Sequence, residues 1–195
     1  YIPNEAVEDM VCPEVRLFGN GLLLSAFMRN QYVIRHISLE DGALLNECAI
    51  SASPGVKLRI GNGSIGLLDS GTNRFHLLDE SLAIQSTQSI PTEGDSWYLN
   101  SELDTLYRFY QDRGLLARDL QTGAERWILE NAVFTRAIGP ETEYVLFEYT
   151  DGDSQRTFVR CLDLSTGTLE TAPVSGSVST GVRHNDTWLL RRDGA

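Results

Sequence analysis

A repeat of about forty-two residues is the feature that most constrains how this chain can fold. Residues 15–24 and 56–68 share one pattern, in which two apolar runs flank a Gly-Asn-Gly turn. The first glycines of these turns, Gly19 and Gly61, are 42 residues apart. Weaker counterparts of the turn occur near Asn100, Gly139 and His184. Repeats of this length are typical of solenoids and propellers, so the repeat has to be interpreted before any single motif.

A second marker follows each of the first four turns at a similar interval. It is a loop that carries Asp-Gly or Thr-Gly, at Asp41-Gly42, Thr122-Gly123 and Thr166-Gly167. A weaker copy, Glu80-Ser81, stands at the corresponding place in the second repeat. Short runs of alternating apolar and polar residues separate the markers, as expected for strands. Four antiparallel strands in each repeat, with no helix between repeats, indicate a propeller blade. We therefore predict an all-β fold, a β-propeller of four-stranded antiparallel blades.

The repeat also predicts the division of the chain. The expected units are residues 15–54, 55–92, 93–132, 133–176 and a partial unit at 177–195. Residues 1–14 form a lead-in segment or a closing strand, and Asn4 to Val11 can be read as a helix or as an extended lead-in. About four and a half blades do not close a ring, so we expect the chain to be part of a larger propeller. If the chain instead forms the whole propeller, the open edges of its blades predict association with other chains.

The third and fourth units carry a known motif. Residues 117–127 match the pattern A-x-D-x-x-T-G-x-x-x-W through five residues: Ala117, Asp119, Thr122, Gly123 and Trp127. Its centre recurs at Asp163, Thr166 and Gly167. This segment resembles the blade motif of pyrroloquinoline-quinone-type propellers. The resemblance implies that the turn closes the outer hairpin of a blade and that Trp127 docks between blades. The resemblance does not extend to the cofactor site, because quinone-dependent enzymes of this family often use a pair of adjacent cysteines. No two cysteines are adjacent in this chain.

Gly61 to Gly66 also matches the G-x-G-x-x-G pattern of a dinucleotide-binding turn, and Ser64 lies in a near-match to a nucleophile elbow. Both sites require a helix directly after the turn. Only five residues, 67–71, separate this turn from the next turn signal. We therefore interpret Gly61 to Gly66 as a tight turn between two strands.

No residue pattern predicts a catalytic, cofactor or metal site. His36, His76 and His184 have no spacing typical of metal ligands, so we expect structural histidines. Asp151 and Asp153 alternate as in calcium loops, but the stretch lacks a third ligand and a closing Glu, so we expect a solvated turn.

Composition narrows the choice of partners and compartment. The net charge of −11 disfavours binding to nucleic acid or anionic lipid, and no apolar run is long enough for a transmembrane segment. Cys12, Cys48 and Cys161 are expected to be free thiols, with a Cys12–Cys48 bridge as the alternative in an oxidising compartment. The chain begins at Tyr1, which is compatible with removal of a signal peptide or lipid anchor.

The function predicted from these features is a noncatalytic scaffold that binds a protein or a small ligand, with an extracytoplasmic location. Two alternatives remain: a propeller-type hydrolase or lyase acting on a sugar or peptide, and a structural segment of a larger protein. Binding in propellers uses the loops between second and third strands. The candidate interaction residues in those loops are Asn30, Asn73, Asp112, Arg113, Asp151 and Asp153.

Overall fold

The computed structural model describes residues 11–91, 96–137, 144–170, 174–176, 178–184 and 187–192. All of the regular secondary-structure elements in these residues are β-strands. The described residues contain no helix long and apolar enough to cross a membrane. The chain divides into two compact units, Tyr1–Thr92 and Glu93–Ala195. Each unit is described by itself.

The first unit contains two four-stranded antiparallel sheets whose strands follow one another in chain order. Sheet I consists of β1 (Val11–Phe18), β2 (Gly21–Met28), β3 (Gln31–Ser38) and β4 (Leu44–Ser51). Sheet II consists of β5 (Val56–Gly61), β6 (Ser64–Asp69), β7 (Arg74–Leu78) and β8 (Ile84–Ser89).

The second unit contains two more such sheets and a strand pair. Sheet III consists of β9 (Ser96–Leu99), β10 (Thr105–Tyr110), β11 (Gly114–Asp119) and β12 (Glu125–Glu130). Sheet IV consists of β13 (Ala132–Ala137), β14 (Tyr144–Asp151), β15 (Thr157–Asp163) and β16 (Val174–Ser175). The pair consists of β17 (Val178–His184) and β18 (Thr187–Arg192). The prediction of four four-stranded antiparallel sheets is confirmed.

The two Gly-Asn-Gly turns are hairpin loops, but their registers differ by one residue. Phe18 pairs with Gly21, so the first loop is Gly19-Asn20, and only Gly19 has a positive φ, of 56°. Gly61 pairs with Ser64, so the second loop is Asn62-Gly63, with φ values of 48° and 69°. Two-residue hairpin loops need positive φ at one or both positions, which glycine and asparagine tolerate. The dinucleotide-like stretch is therefore a hairpin turn.

Each third strand ends in a turn capped by a side chain. Asp119 Oδ1 accepts hydrogen bonds from the backbone N–H groups of Gln121 and Thr122, at 2.8 and 2.7 Å. Ser38, Asp79 and Asp163 cap the other three turns in the same way. A positive φ follows each cap, at Gly42, Leu82, Gly123 and Gly167. The weak marker at Glu80-Ser81 therefore belongs to a turn in which leucine takes the place of glycine.

Each unit is held together by an apolar core between its two sheets. In the first unit, Leu23 and Ile34 of sheet I and Ile65 and Leu67 of sheet II lie in one buried cluster. In the second unit, Phe109 is central, with ring centroids 4.7 Å from Phe134 and 4.8 Å from Phe147. The strand pleat places alternate residues on opposite faces, so only one face of each sheet lines each core.

The start of the first sheet differs from the sequence-based expectation, whereas the described cysteines agree with it. Strand β1 begins at Val11, which pairs with Phe27, so sheet I starts four residues before the predicted start of the first unit. The remainder of the possible helix, residues 4–10, lies outside the described part of the chain. Cys48 and Cys161 are free thiols, as predicted. Cys12 lies on β1 and Cys48 on β4, at opposite edges of sheet I. Three strand spacings, about 14 Å, separate these edges, so the bridge does not form.

Candidate functional site

The antiparallel strand order gives every sheet two distinct ends. One end, which we call the connector end, carries the loops between second and third strands and the segments that lead from one sheet to the next. The opposite end, the turn end, carries the loops between first and second and between third and fourth strands. All six predicted interaction residues lie at connector ends.

In the first unit, Asp69 organises the connector end. Its side chain is fully buried at the end of β6. One oxygen accepts from the Ser53 N–H at 3.0 Å and from the Thr72 hydroxyl at 2.6 Å. The other accepts from the Ser53 hydroxyl and from the Gly71 N–H at 3.0 Å. Burial raises the pKa of Asp69, but these hydrogen bonds outweigh burial and hold the pKa below its usual value. Asp69 thus fixes the segment between the two sheets to the β6–β7 loop.

The predicted residues of the first unit are turn residues. Asn30 and Asn73 both have a positive φ, of 65° and 55°. Asparagine adopts this conformation more readily than most residues, so local backbone geometry accounts for both. Their polar side chains remain candidates for binding.

In the second unit, backbone hydrogen bonds tie both connector-end loops to β13 and to the residue before it. Phe134 N–H donates to Gln111 C=O at 3.1 Å, and Gly152 N–H donates to Asn131 C=O at 2.8 Å. The structure therefore brings the β10–β11 loop, with Asp112 and Arg113, and the β14–β15 loop, with Asp151 and Asp153, to the same end of this unit.

The four predicted residues of the second unit have different surroundings. Asp112 and Arg113 are highly exposed and form a loose ion pair at 3.9 Å. Asp151 Oδ1 accepts from the backbone N–H groups of Asp153 and Ser154, at 3.0 and 2.7 Å. These bonds, the Ser154 backbone bond first, lower the pKa of Asp151. The calcium-like sequence is therefore a capped turn, and the described residues contain no group of three or more His, Cys, Asp or Glu side chains that could hold a metal ion.

The propeller-like motif lies at the turn end of sheet III and on β12. Ala117 is buried in the core of the second unit, and Asp119 caps the turn that contains Thr122 and Gly123. Trp127 pairs with Leu116 and so lies on the face of sheet III opposite that core. Its ring contacts Tyr110 of the same sheet at 5.5 Å and remains partly exposed. Trp127 therefore does not pack against sheet IV.

Sequence reasoning missed two features of the second unit. The first is the buried Arg108, whose guanidinium lies 4.8 Å from the centroid of Tyr110 and 5.9 Å from that of Trp97. Arg108 alternates with the apolar Tyr107 and Phe109, a pattern that predicts a solvent-facing side chain, so its burial could not be predicted from the sequence. The second is a cavity of about 480 Å³ at the turn end, between sheets III and IV. The repeated Asp-x-x-Thr-Gly loops line it, but only packing of the two sheets creates the space.

His36 and His76 occupy buried structural positions. His36 pairs with Leu23 and contacts the ring of Phe18 at 5.4 Å. His76 pairs with Leu67, and its Nδ1 lies 2.9 Å from the Thr87 hydroxyl. Burial lowers the pKa of His76, so the ring is neutral near pH 7.

Comparisons with known proteins identify the fold. Neither a comparison with protein-family models nor one with curated protein sequences gave a match. Among solved structures, the uncharacterized protein lmo1340 from Listeria monocytogenes EGD-e has a TM-score of 0.58 at 10% identity, covering 97% of this chain and 60% of that one. The β-propeller domain of Cps50 (Swd1) from Myceliophteria thermophila has a TM-score of 0.53 at 14% identity, covering 95% and 63%. This chain has a β-propeller fold.

A propeller fold alone does not separate binding proteins from enzymes. Dihydro-heme d1 dehydrogenase NirN in complex with DHE is also similar, with a TM-score of 0.51 at 14% identity over 90% of this chain and 43% of that one. The chain spans less than two thirds of the length of each of these three structures. One architecture hosts many functions, so the function has to be inferred from the site.

Proposed function

We propose that this propeller is a noncatalytic scaffold that binds a protein or small-ligand partner through its connector ends. The supporting observation is the way each unit holds these loops. Asp69 fixes the first unit's loop to the segment between its sheets, and backbone bonds to Phe134 and Asn131 fix those of the second. Loops held by a rigid scaffold present polar side chains without ordering them anew on binding, which limits the entropic cost of association.

The carboxylates favour binding over hydrolysis. A glycosidase needs a general acid whose pKa is raised toward neutrality. Every described carboxylate with a resolved shift has a lowered pKa instead: Asp41, Asp69, Asp79, Asp119 and Asp151. Hydrogen bonds hold these five groups ionised, so none of them is suited to donate a proton near neutral pH.

The test is an affinity capture from an extract of the source cells. The wild-type chain and two double variants are immobilised, and the partners that each retains are compared. D112A/R113A removes the most exposed charged pair of the connector end, and E40A/E80A removes exposed charges at the turn end as a matched control. A partner retained by the wild type and by E40A/E80A, but lost with D112A/R113A, supports the proposal. Equal retention by all three proteins contradicts it, as does turnover of glycoside or peptide substrates by the wild type.

We also propose an extracytoplasmic location, for which the sequence resemblance is the only support. Fusing the complete reading frame to alkaline phosphatase, which is active only outside the bacterial cytoplasm, tests this location. Phosphatase activity in intact cells is the expected result, and its absence from a stably expressed fusion contradicts the location.

A further inference from the structure

The cavity at the turn end of the second unit has features of a binding site. Its volume of about 480 Å³ falls within the range of about 300–1,000 Å³ typical of small-ligand sites. Loops from sheet III and sheet IV both line it, including residues Asn100, Asp104 and Thr166. It lies at the opposite end of the sheets from the proposed partner-binding loops.

A buried tyrosine lies in the wall of this cavity. Tyr107 is 3% exposed and packs in the core of the second unit. Among the described residues, the structure gives its hydroxyl no hydrogen bond, whereas the buried Tyr32 hydroxyl donates to Ser25 at 2.9 Å. Tyr107 lines the cavity, so water or a ligand in the cavity can bond to its hydroxyl. Burial also raises the pKa of Tyr107, so its oxygen is neutral and can accept a hydrogen bond.

The charged residues around the cavity are mostly acidic. Its lining has one guanidinium and four carboxylates, those of Glu102, Asp104, Asp119 and Glu125. The guanidinium belongs to Arg126, whose charge acts on Tyr107. Four carboxylates against one guanidinium leave the cavity net negative, which favours a cation.

Two of these carboxylates are bonded to neutral groups. Asp104 Oδ1 accepts from the side-chain amide of Asn100 at 2.7 Å and from the Thr105 hydroxyl at 2.8 Å. Asp119 accepts from backbone N–H groups. Neutral donors orient a carboxylate without cancelling its charge. Glu125, in contrast, forms an ion pair with Arg118 at 3.0 Å.

We propose that this cavity binds an organic cation, a guanidinium or alkylammonium group of the kind that arginine and lysine side chains carry. The cation's N–H groups donate to the Tyr107 hydroxyl, and the surrounding carboxylates supply the attraction. Such a group needs several acceptors in one place, and the cavity combines the neutral hydroxyl with ionised carboxylates.

The experiment is an NMR titration of the ¹⁵N-labelled chain with three probes. These are acetyl-Gly-Arg-Gly-amide, the same peptide with neutral citrulline in place of arginine, and spermidine. We expect saturable shifts of the Asn100, Thr105 and Thr166 amides with the arginine peptide and none with the citrulline peptide. Tighter binding of the peptide than of spermidine assigns the cation to a protein partner, and the reverse order assigns it to a free polyamine.

Variants separate binding from folding. Y107F should weaken binding by about tenfold, because a hydrogen bond to a charged group is lost, while leaving stability unchanged. E102Q should weaken binding by about two- to fivefold, as expected for an exposed charge. Y32F is the matched control, since it removes a buried hydroxyl of the first unit and should lower stability without changing the affinity. Equal binding of the citrulline peptide, or wild-type affinity in Y107F, overturns the proposal. D112A/R113A should bind these probes like the wild type, so this test is independent of the proposed scaffold function.

Discussion

At the scale of single residues, the ends of the third strands show how little sequence is needed to form a turn. An aspartate or serine side chain accepts backbone N–H bonds, and a residue with positive φ then reverses the chain. The Asp-x-x-Thr-Gly pattern contains both requirements, so its turns could be predicted. The turn after Asp79 could not be located as well, because Leu82 supplies the positive φ of 64° and is held there by burial.

Two glycines in equivalent turns should respond differently to alanine. Gly123 and Gly167 have φ values of 74° and 69°. A Cβ on Gly123 would meet only the Arg118 side chain at 3.6 Å, whereas one on Gly167 would lie 2.5 Å from the Tyr107 hydroxyl. We expect G123A to lower the free energy of unfolding by about 1–2 kcal/mol through backbone strain alone. G167A should lower it further, and urea denaturation of both variants measures the difference. Equal losses would show that Tyr107 moves freely.

Asp69 should contribute to stability in a pH-dependent way. Its pKa is lower in the folded chain, so its contribution is complete above the unfolded value of about 3.9 and is lost as pH falls through the folded value. We expect D69N to reduce the free energy of unfolding by about 1.5–3 kcal/mol at pH 7, and by less near pH 3. Urea denaturation at a series of pH values tests this. D112N, at an exposed loop position, should stay within about 0.5 kcal/mol of the wild type. A loss in D69N that is independent of pH would contradict this role for the carboxylate charge.

At the scale of elements, the two faces of a sheet can differ in burial. In sheet I, Leu23 is 1% exposed in the core of the first unit, whereas Leu17, on the opposite face, is 73% exposed. The alternation predicts which residues share a face. It does not predict which of two apolar faces is covered, because the covering residues belong to another sheet.

A matched pair of substitutions tests this difference between faces. L23A should lower the free energy of unfolding by about 2–5 kcal/mol, because it removes packed atoms from the core. L17A should change it by less than about 0.5 kcal/mol. Chemical denaturation of both variants gives the comparison. A large loss in L17A would show that its face is buried in solution by association.

The two histidines with described side chains occupy different positions in their strands. His36 lies on β3 and His76 on β7, the third strands of sheets I and II. His36 lies two residues before the capping Ser38, and His76 lies three residues before the capping Asp79. A one-residue shift in a strand reverses the side-chain direction relative to the strand's own turn. The two histidines are therefore not equivalent positions of the repeat.

At the scale of the whole molecule, charge limits the kind of partner. With a net charge of −11, the chain should bind neither duplex DNA nor phosphatidylserine vesicles at 150 mM salt. Gel-shift and vesicle co-sedimentation measurements test this expectation, with a basic protein as the positive control. Salt-sensitive binding to either surface would reveal a local basic site that the overall charge conceals.

The sequence by itself determined the strands, their order and their turns, because each depends on nearby residues. Alternation sets the faces, and Gly, Asn and Asp set the turns. Only the tertiary structure decided which faces are buried, that Trp127 lies away from sheet IV, and that Asp69 joins a loop to the segment between two sheets. The same holds for the cavity beside Tyr107. These features depend on groups brought together from separate repeats, and a repeat pattern specifies each sheet but not the space between two sheets.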